Sequence, residues 1–186
     1  MIKRPSYIEK LDRYRDKDLI KVITGVHRSG KSILLFELYA KHLIKDGVKK
    51  DHIIKVNLEN IRNRPLRDAE ALMAHISQRV KGRSKHYIFI DEIQYIDGFE
   101  DLLNTLKNQG HDVYITGSNS KLLSGDINTA LRGRSIEIRV FPLSFADFLI
   151  IKVVIETKLF VNILSMEGFH MLHWQKPLQK KPNISK

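Results

Sequence analysis

The most constraining stretch of this chain is Gly25-Val26-His27-Arg28-Ser29-Gly30-Lys31-Ser32, which has the pattern G-x-x-x-x-G-K-S. The apolar run before it, residues 19–23, is typical of a buried strand. Over residues 33–45 the apolar positions recur at helical spacing. In a strand, loop and helix of this order, the loop amides and the helix N-terminus point at one anion. The pattern therefore predicts a phosphate-binding loop, or P-loop.

The residue types of this loop suit a nucleotide bound with Mg²⁺. Gly25 and Gly30 allow a tight turn and place no Cβ in the way of a ligand. Lys31 can reach the β- and γ-phosphates, and the Ser32 hydroxyl can contact Mg²⁺. We expect ATP to bind along Gly25, Val26, His27, Arg28, Ser29, Gly30, Lys31, Ser32 and Ile33. The alternative is a chance match in a glycine turn, and the flanking strand and helix argue against it.

A second apolar run ends in two acidic residues. Residues 87–90 predict a central strand covered on both faces, and Asp91 and Glu92 follow directly. Carboxylates at the carboxyl end of such a strand enter the crevice where parallel sheets bind ligands. We expect Asp91 to hold Mg²⁺ and Glu92 to act as the general base for the attacking water. Alone, the run would indicate an ordinary strand and turn; beside the P-loop, it predicts a Walker B motif.

Two further places in the sequence are candidates for the same site. Ser118 and Asn119 follow an apolar run at residues 112–116, where a polar side chain can contact the γ-phosphate or position the water. A turn with a helix N-cap is nearly as good an interpretation. Arg134 precedes residues 136–140, which alternate as in a half-exposed edge strand. It is a candidate arginine finger for a neighbouring subunit, and the alternative is a surface arginine.

Composition limits the class of protein. The chain has 186 residues, a formal net charge of +11 and no cysteine, which excludes disulfides and cysteine zinc sites. No apolar run is long enough to cross a membrane and no signal peptide is visible, so we expect a cytoplasmic protein without a membrane partner. The charge makes nucleic acid a candidate partner. Because Lys and Arg are scattered, a merely solvated surface is an equally good interpretation.

Further helices and one loop complete the predicted pattern. The spacing of apolar residues predicts a short helix after Pro5, a second from Asp68 to Val80 and a third from Phe99 to Leu106. Residues 60–65 are predicted to form a loop. Alternating strands and helices of this kind favour a doubly wound α/β layout.

Five segments occur in a fixed order along the chain: residues 21–32, 89–94, 115–120, 133–134 and 141–145. Together they resemble one prokaryotic family of AAA+-type ATP-binding proteins, over residues 3–150. The resemblance implies an α/β fold, the three-layer αβα sandwich of P-loop NTPases, with a parallel five-stranded sheet in the order 5-1-4-3-2. It also implies MgATP binding, ATP hydrolysis and a candidate homo-oligomer.

The same resemblance implies roles for single residues. Lys31 and Ser32 match the P-loop positions, Asp91 and Glu92 the Walker B positions, and Ser118 or Asn119 the sensor position. Arg134 matches the arginine that precedes the last strand of the sheet.

Proteins of this family look longer than this chain. The resemblance therefore implies an ATP-binding domain at residues 1–150 and a truncated or degenerate C-terminal segment at 151–186. The basic, polar and proline-broken composition of residues 176–186 predicts that this segment is partly disordered. Three functions stay open at this point. They are an ATPase whose turnover the truncation impairs, a nucleotide-binding switch or relic with little turnover, and a basic nucleic-acid-binding protein with a secondary ATP site.

Overall fold

Five parallel strands form one sheet in the computed structural model, which describes residues 4–82, 84–118, 131, 133–142 and 157. The strands are β1 (Ile20–Gly25), β2 (Ile53–Asn57), β3 (Tyr87–Asp91), β4 (Asp112–Ser118) and β5 (Ser135–Arg139). Their order is β2-β3-β4-β1-β5, and every neighbouring pair is parallel. Read from the other edge, this is the predicted order 5-1-4-3-2, which is confirmed.

Helices cover both faces of the sheet. They are α1 (Pro5–Arg13), α2 over residues 31–45, α3 (Ala69–Ser77) and α4 (Phe99–Asn108). The first core contains buried residues of α1 and α2 and one set of strand residues, among them Ile23 and Phe89. The other contains buried residues of α3 and α4 and the alternate strand residues, such as Val22 and Ile90. Successive strand residues point to opposite faces, so the two cores confirm the predicted αβα layers.

Two local structures differ from the sequence predictions. Within α2, the segment Leu34–Tyr39 is a π-helix between two α-helical pieces, Lys31–Ile33 and Ala40–Lys45. The predicted loop at residues 60–65 belongs instead to a 3₁₀-helix, Ile61–Arg67. The Asn60 side chain caps this 3₁₀-helix by accepting a hydrogen bond from Arg62 N at 3.0 Å. Two shorter 3₁₀ turns span Lys50–His52 and Ile93–Tyr95.

The chain divides into two compact units, Met1–Pro142 and Leu143–Lys186. Of the second unit only Thr157 is described, so the domain assignment of residues 151–186 stays a prediction. In the part of the chain that the structure describes, no helix is long and apolar enough to span a membrane.

A buried ion pair joins β1 to β4 inside the sheet. Lys21 and Asp112 are 0% and 3% exposed, and their side chains form a salt bridge. The Lys21 ammonium also donates to Lys17 O at 3.0 Å. Asp112 accepts further hydrogen bonds from the Tyr114 hydroxyl and from Asp16 N, each at 2.9 Å. Burial lowers the pKa of Lys21, while the Asp112 carboxylate opposes that shift.

Three histidines cluster at the amino ends of neighbouring strands, opposite the P-loop. The His52 and His86 ring centroids are 4.7 Å apart, and those of His86 and His111 are 5.6 Å apart. His86 Nδ1 lies 2.8 Å from Ser84 O, and His86 Nε2 accepts from Lys81 N at 3.2 Å. These two bonds suit a neutral ring with its proton on Nδ1. Burial, and then the nearby His86, lower the pKa of His111.

We expect the free energy of unfolding to fall as the pH drops below about 6.5, where histidines of an unfolded chain take up protons. Because burial lowers the folded-state pKa of His111, the unfolded chain binds more protons between the two pKa values. Stability therefore rises with pH across that window. Burial also lowers the pKa of His75 and adds an effect of the same sign.

Urea unfolding at several values between pH 7 and pH 5 measures this dependence. The variant His111→Gln should have a shallower pH dependence than the wild type. An unchanged slope in His111→Gln would contradict the assignment.

Candidate functional site

The P-loop connects the carboxyl end of β1 to the start of α2. Gly25 packs so closely on the chain leaving β5 that a Cβ there would lie 2.3 Å from Val140 O. Arg28 and Gly30 have positive φ angles, 63° and 88°, which turn the loop back on itself. Left-handed residues in a turn of this kind can direct backbone amides into a concave anion site. The loop therefore has the backbone curvature that the sequence predicts.

The lysine and the serine that end the G-x-x-x-x-G-K-S motif lie at the start of α2. Lys31 is 4% exposed, and its ammonium donates to Gly25 O at 3.1 Å and to Val26 O at 3.2 Å. The lysine thus folds back over its own loop. Ser32 Oγ donates to Asp91 Oδ1 at 2.9 Å, across a sequence separation of 59 residues. The two motifs predicted from sequence therefore meet in one place.

Asp91 is fully buried and lies between two hydroxyl groups. Its Oδ1 accepts from Ser32 and from Thr116 Oγ1, whereas Oδ2 is buried and has no hydrogen-bond partner among the described residues. Burial raises the pKa of Asp91, the two hydroxyl bonds oppose this, and the charges of Glu92 and Glu59 add to it. A free, buried carboxylate oxygen of this kind suits a cation, whose charge would offset the lost hydration.

Thr116 links the two acidic residues, and the sequence predictions did not assign it a role. The hydroxyl is fully buried, donates to Asp91 Oδ1 and accepts from Glu92 N at 3.1 Å. One hydroxyl therefore sets the position of both acidic residues. Threonine is common in strands, so the sequence alone carries no signal that would have identified this residue.

Glu92 has a strained backbone, and a hydrogen bond fixes the position of its side chain. Its φ and ψ are 57° and 53°, in the left-handed region that is uncommon for a residue with a Cβ. Such strain tends to occur at functional sites. The residue is 8% exposed, and Gln94 Nε2 donates to its carboxylate. Gln94 is thus a second polar contact of this site that sequence reasoning missed.

Of the other predicted site residues, only some lie near the contact between Ser32 and Asp91. Ser118 ends β4 and pairs in register with Gly25, so its backbone lies beside the start of the P-loop. Asn119 lies outside the described residues. Arg134 is exposed and its carbonyl accepts from Ile20 N at 2.8 Å, at the amino end of β1. The length of β1, about 16 Å, separates Arg134 from the P-loop of the same chain.

The residues present fit Mg²⁺ bound together with a nucleotide. The Ser32 hydroxyl and the free Asp91 Oδ2 are hard oxygen donors of the type that Mg²⁺ prefers. Over the described ranges, no group of three or more His, Asp or Glu side chains could hold a metal by itself.

For the ATP hydrolysis that the family resemblance implies, we expect Thr116→Val to lower turnover about 10–100-fold, because partners that orient the groups around a metal site typically contribute this much. Valine keeps the volume and removes the hydroxyl that Asp91 and Glu92 share. Steady-state phosphate release measures the effect. Thr116→Ser should restore most of the activity, and the matched control Thr105→Val on α4 should have none of the loss. Wild-type turnover in Thr116→Val would contradict this role.

Comparisons with known proteins agree with the fold. A family model described as an AAA domain matches residues 17–149. An uncharacterized protein of Haemophilus influenzae is 40% identical over 151 residues, which are 80% of this chain and 38% of that protein. An uncharacterized protein of Methanocaldococcus jannaschii is 39% identical over 132 residues, 70% of this chain and 28% of that protein. The match thus spans well under half of these relatives.

Solved structures with the same fold are remote in sequence. AMPPCP-bound DnaA from Aquifex aeolicus has a TM-score of 0.52 and 16% identity, over 87% of this chain and 60% of that chain. RIF2 of Saccharomyces cerevisiae has a TM-score of 0.52 and 13% identity, over 77% of this chain and 57% of that one. At these identities the likeness concerns the fold alone. The family match, the strand order and the meeting of the two motifs agree, and the chain belongs to the AAA domain family of AAA+-type P-loop proteins.

Proposed function

We propose that this protein binds MgATP on residues 25–33 and hydrolyses it to ADP and phosphate. The observation that carries the proposal is the 2.9 Å bond between Ser32 Oγ and Asp91 Oδ1, with Asp91 Oδ2 buried and without a partner among the described residues. A P-loop hydroxyl and a Walker B carboxylate in contact are the two protein ligands expected for one nucleotide-bound Mg²⁺. When bound, Mg²⁺ supplies charge neutralisation at the β- and γ-phosphates.

Each residue of the site has a role in the proposed reaction that follows from its position. The loop amides bind phosphate oxygens, and Lys31 exchanges its contacts with Gly25 O and Val26 O for the β- and γ-phosphates. Asp91 and Ser32 orient each other and hold the cation. Glu92, 8% exposed and fixed by Thr116 and Gln94, takes a proton from the attacking water. Ser118 stays a candidate for contact with the γ-phosphate, as does Asn119.

Phosphate release from ATP, with the wild type and Lys31→Ala side by side, tests the proposal. The wild type should release phosphate in a Mg²⁺-dependent way, and Lys31→Ala should lose both activity and ATP binding. Tight ATP binding by the wild type without turnover, even at high protein concentration, would instead select the nucleotide-binding switch. Absence of ATP binding would remove both functions.

Hydrolysis in an assembly would give Arg134 a role. Arg134 lies at the amino end of β1, whereas the P-loop follows its carboxyl end, so a finger role would concern the site of another copy. Mixing tests this homo-oligomer: Lys31→Ala and Arg134→Ala subunits, each inactive alone, should regain activity together. Full activity of Arg134→Ala alone would rule out the finger role.

A second candidate function, nucleic-acid binding, is favoured by the 3₁₀-helix Ile61–Arg67. Ile61 is 78% exposed, and Arg62 and Arg64 are exposed too. Within the described ranges neither arginine forms an ion pair. The segment follows β2 at the same edge of the sheet as the P-loop, and Leu58 N donates to Asp91 O at 3.1 Å. Two free guanidinium groups beside an apolar tip suit a sugar-phosphate backbone and its bases.

The same segment has a firm connection to the Walker B strand. Arg67 Cζ lies 3.9 Å from the centroid of the Tyr95 ring, and Tyr95 N donates to Glu92 O at 3.2 Å. The Arg67 guanidinium also donates to Leu58 O at 2.8 Å. A ligand on the segment would therefore act on the backbone next to both Walker B residues.

Fluorescence anisotropy with single-stranded DNA at several salt concentrations tests this candidate. The double variant Arg62→Ala with Arg64→Ala should weaken DNA binding. The slope of the logarithm of the binding constant against the logarithm of the salt concentration is negative, and it should become less steep by about 1–2. The double variant Lys49→Ala with Lys50→Ala is a charge-matched control, because both lysines lie before the amino end of β2, and it should keep the wild-type slope. Equal loss in both double variants would indicate unspecific attraction to a basic protein.

A further inference from the structure

Arg4 lies directly over the P-loop of its own chain. A Cβ placed on Gly30 would lie 3.9 Å from Arg4 Cζ, 3.9 Å from Nη2 and 4.0 Å from Nη1. Because these three atoms of a planar group are almost equally distant, the flat face of the guanidinium faces Gly30. Gly30 carries no side chain, so nothing of its own separates the guanidinium from the backbone of the loop.

Contacts on two other elements hold Arg4 in this place. Its Nη1 donates to Phe141 O at 3.1 Å, on the segment that leaves β5. The Tyr7 hydroxyl accepts from Phe141 N at 3.1 Å, and the Arg4 guanidinium lies 5.5 Å from the Tyr7 ring centroid. Arg4 therefore connects the start of α1, the exit of β5 and the P-loop. The position is built by the fold and is more than a chance approach of a surface side chain.

The charge of Arg4 is not neutralised inside the described part of the protein. No acidic side chain there forms a salt bridge with it, whereas Arg15, Lys21 and Lys107 all have carboxylate partners. A guanidinium has five N–H donors, and the bond to Phe141 O uses one of them. The donors lie in the plane of the group, so packing of its face on Gly30 leaves the others unblocked by the glycine. A cation with free donors beside an anion-binding loop suits a phosphate group.

We propose that Arg4 is a phosphate-binding residue of the nucleotide site, contributed by the segment before α1. The proposal rests on nucleotide binding at the P-loop and adds a cation there that the two sequence motifs do not contain. Lys31 approaches the phosphates from α2, and Arg4 approaches them from above Gly30. A guanidinium can bind two phosphate oxygens at once, which a lysine cannot do with the same geometry. The preferred ligand is a nucleoside diphosphate or triphosphate.

Displacement of a fluorescent ATP analogue by ATP and by inorganic pyrophosphate tests the proposal. Arg4→Ala should weaken both ligands by about 10–100-fold, the usual range for a hydrogen bond to a charged group. Arg4→Lys, which keeps the charge and loses the fork, should fall between Arg4→Ala and the wild type. Arg13→Ala is the matched control, since it removes an exposed arginine from the far end of α1, the helix that Arg4 precedes, and it should bind as the wild type does.

Each other outcome identifies what has failed. If the wild type binds neither ATP nor pyrophosphate, the proposed function is wrong. If the wild type binds both and Arg4→Ala binds them equally well, only the role of Arg4 is wrong. A loss for ATP without a loss for pyrophosphate would mean that Arg4 contacts the base or ribose, which also overturns the proposal. Thermal unfolding without nucleotide checks that Arg4→Ala is folded, and if it is not, the comparison of Arg4→Lys with the wild type decides.

Discussion

Replacing Glu92 by glutamine will lower the rate of ATP hydrolysis by about 10²–10⁴-fold, the usual contribution of a general base. The glutamine amide cannot take the proton from water, but it keeps the size of the side chain. The backbone bond from residue 92 to Thr116 Oγ1 does not involve the carboxylate and should persist. ATP binding should therefore be retained, and only the chemical step should be lost.

Two measurements separate this result from a general loss of structure. ATP affinity by calorimetry should be close to that of the wild type. Glu70→Gln, which removes an exposed carboxylate from the first turn of α3, should hydrolyse ATP at the wild-type rate. Unchanged phosphate release in Glu92→Gln would show that another group activates the water.

Asp112→Asn will destabilise the protein by about 3–5 kcal/mol, the usual cost of leaving one member of a buried ion pair without its partner. Lys21 is fully buried, and within the described residues its Nζ has only one other hydrogen-bond acceptor, Lys17 O. The lysine must then lose its proton or stay charged in an apolar environment, and either costs free energy. Urea unfolding at neutral pH measures the loss.

A double variant separates loss of the partner from loss of packing. Lys21→Met with Asp112→Leu replaces both charges by apolar side chains, and such replacements are often close to neutral. The double variant should be much more stable than Asp112→Asn. If the double variant lost as much stability as Lys21→Met and Asp112→Leu lose together, the two residues would act independently. That result would contradict a coupled pair.

The strands could be predicted because they are short apolar runs, whereas their order in the sheet was implied by the resemblance to the AAA+-type family. Tyr87–Asp91 is buried along its whole length, so its residues are apolar until the carboxylate that enters the site. The meeting of Ser32 with Asp91 followed from the same reasoning, since parallel strands deliver their carboxyl ends to one edge. Each motif, and the strand that precedes it, is encoded within a single segment of sequence.

Contacts between distant segments were not predictable in the same way. Thr116 looks like an ordinary β-branched strand residue until the fold places its hydroxyl between Asp91 and Glu92. Arg4 is one of many scattered basic residues, and only the fold puts it above Gly30. The 3₁₀-helix Ile61–Arg67 was predicted as a loop because its cap depends on the Asn60 side chain and not on apolar spacing.

The most direct test of the account is the Mg²⁺ dependence of ATP binding, because the account requires the P-loop and Asp91 to act on one metal-bound nucleotide. Calorimetry on the wild type, Ser32→Ala, Asp91→Asn and the double variant should be run with Mg²⁺ and with a chelator. Mg²⁺ should tighten ATP binding to the wild type, each single variant should lose most of that gain, and the double variant should lose little more. Independent, additive losses, or ATP binding that ignores Mg²⁺ in the wild type, would contradict the account.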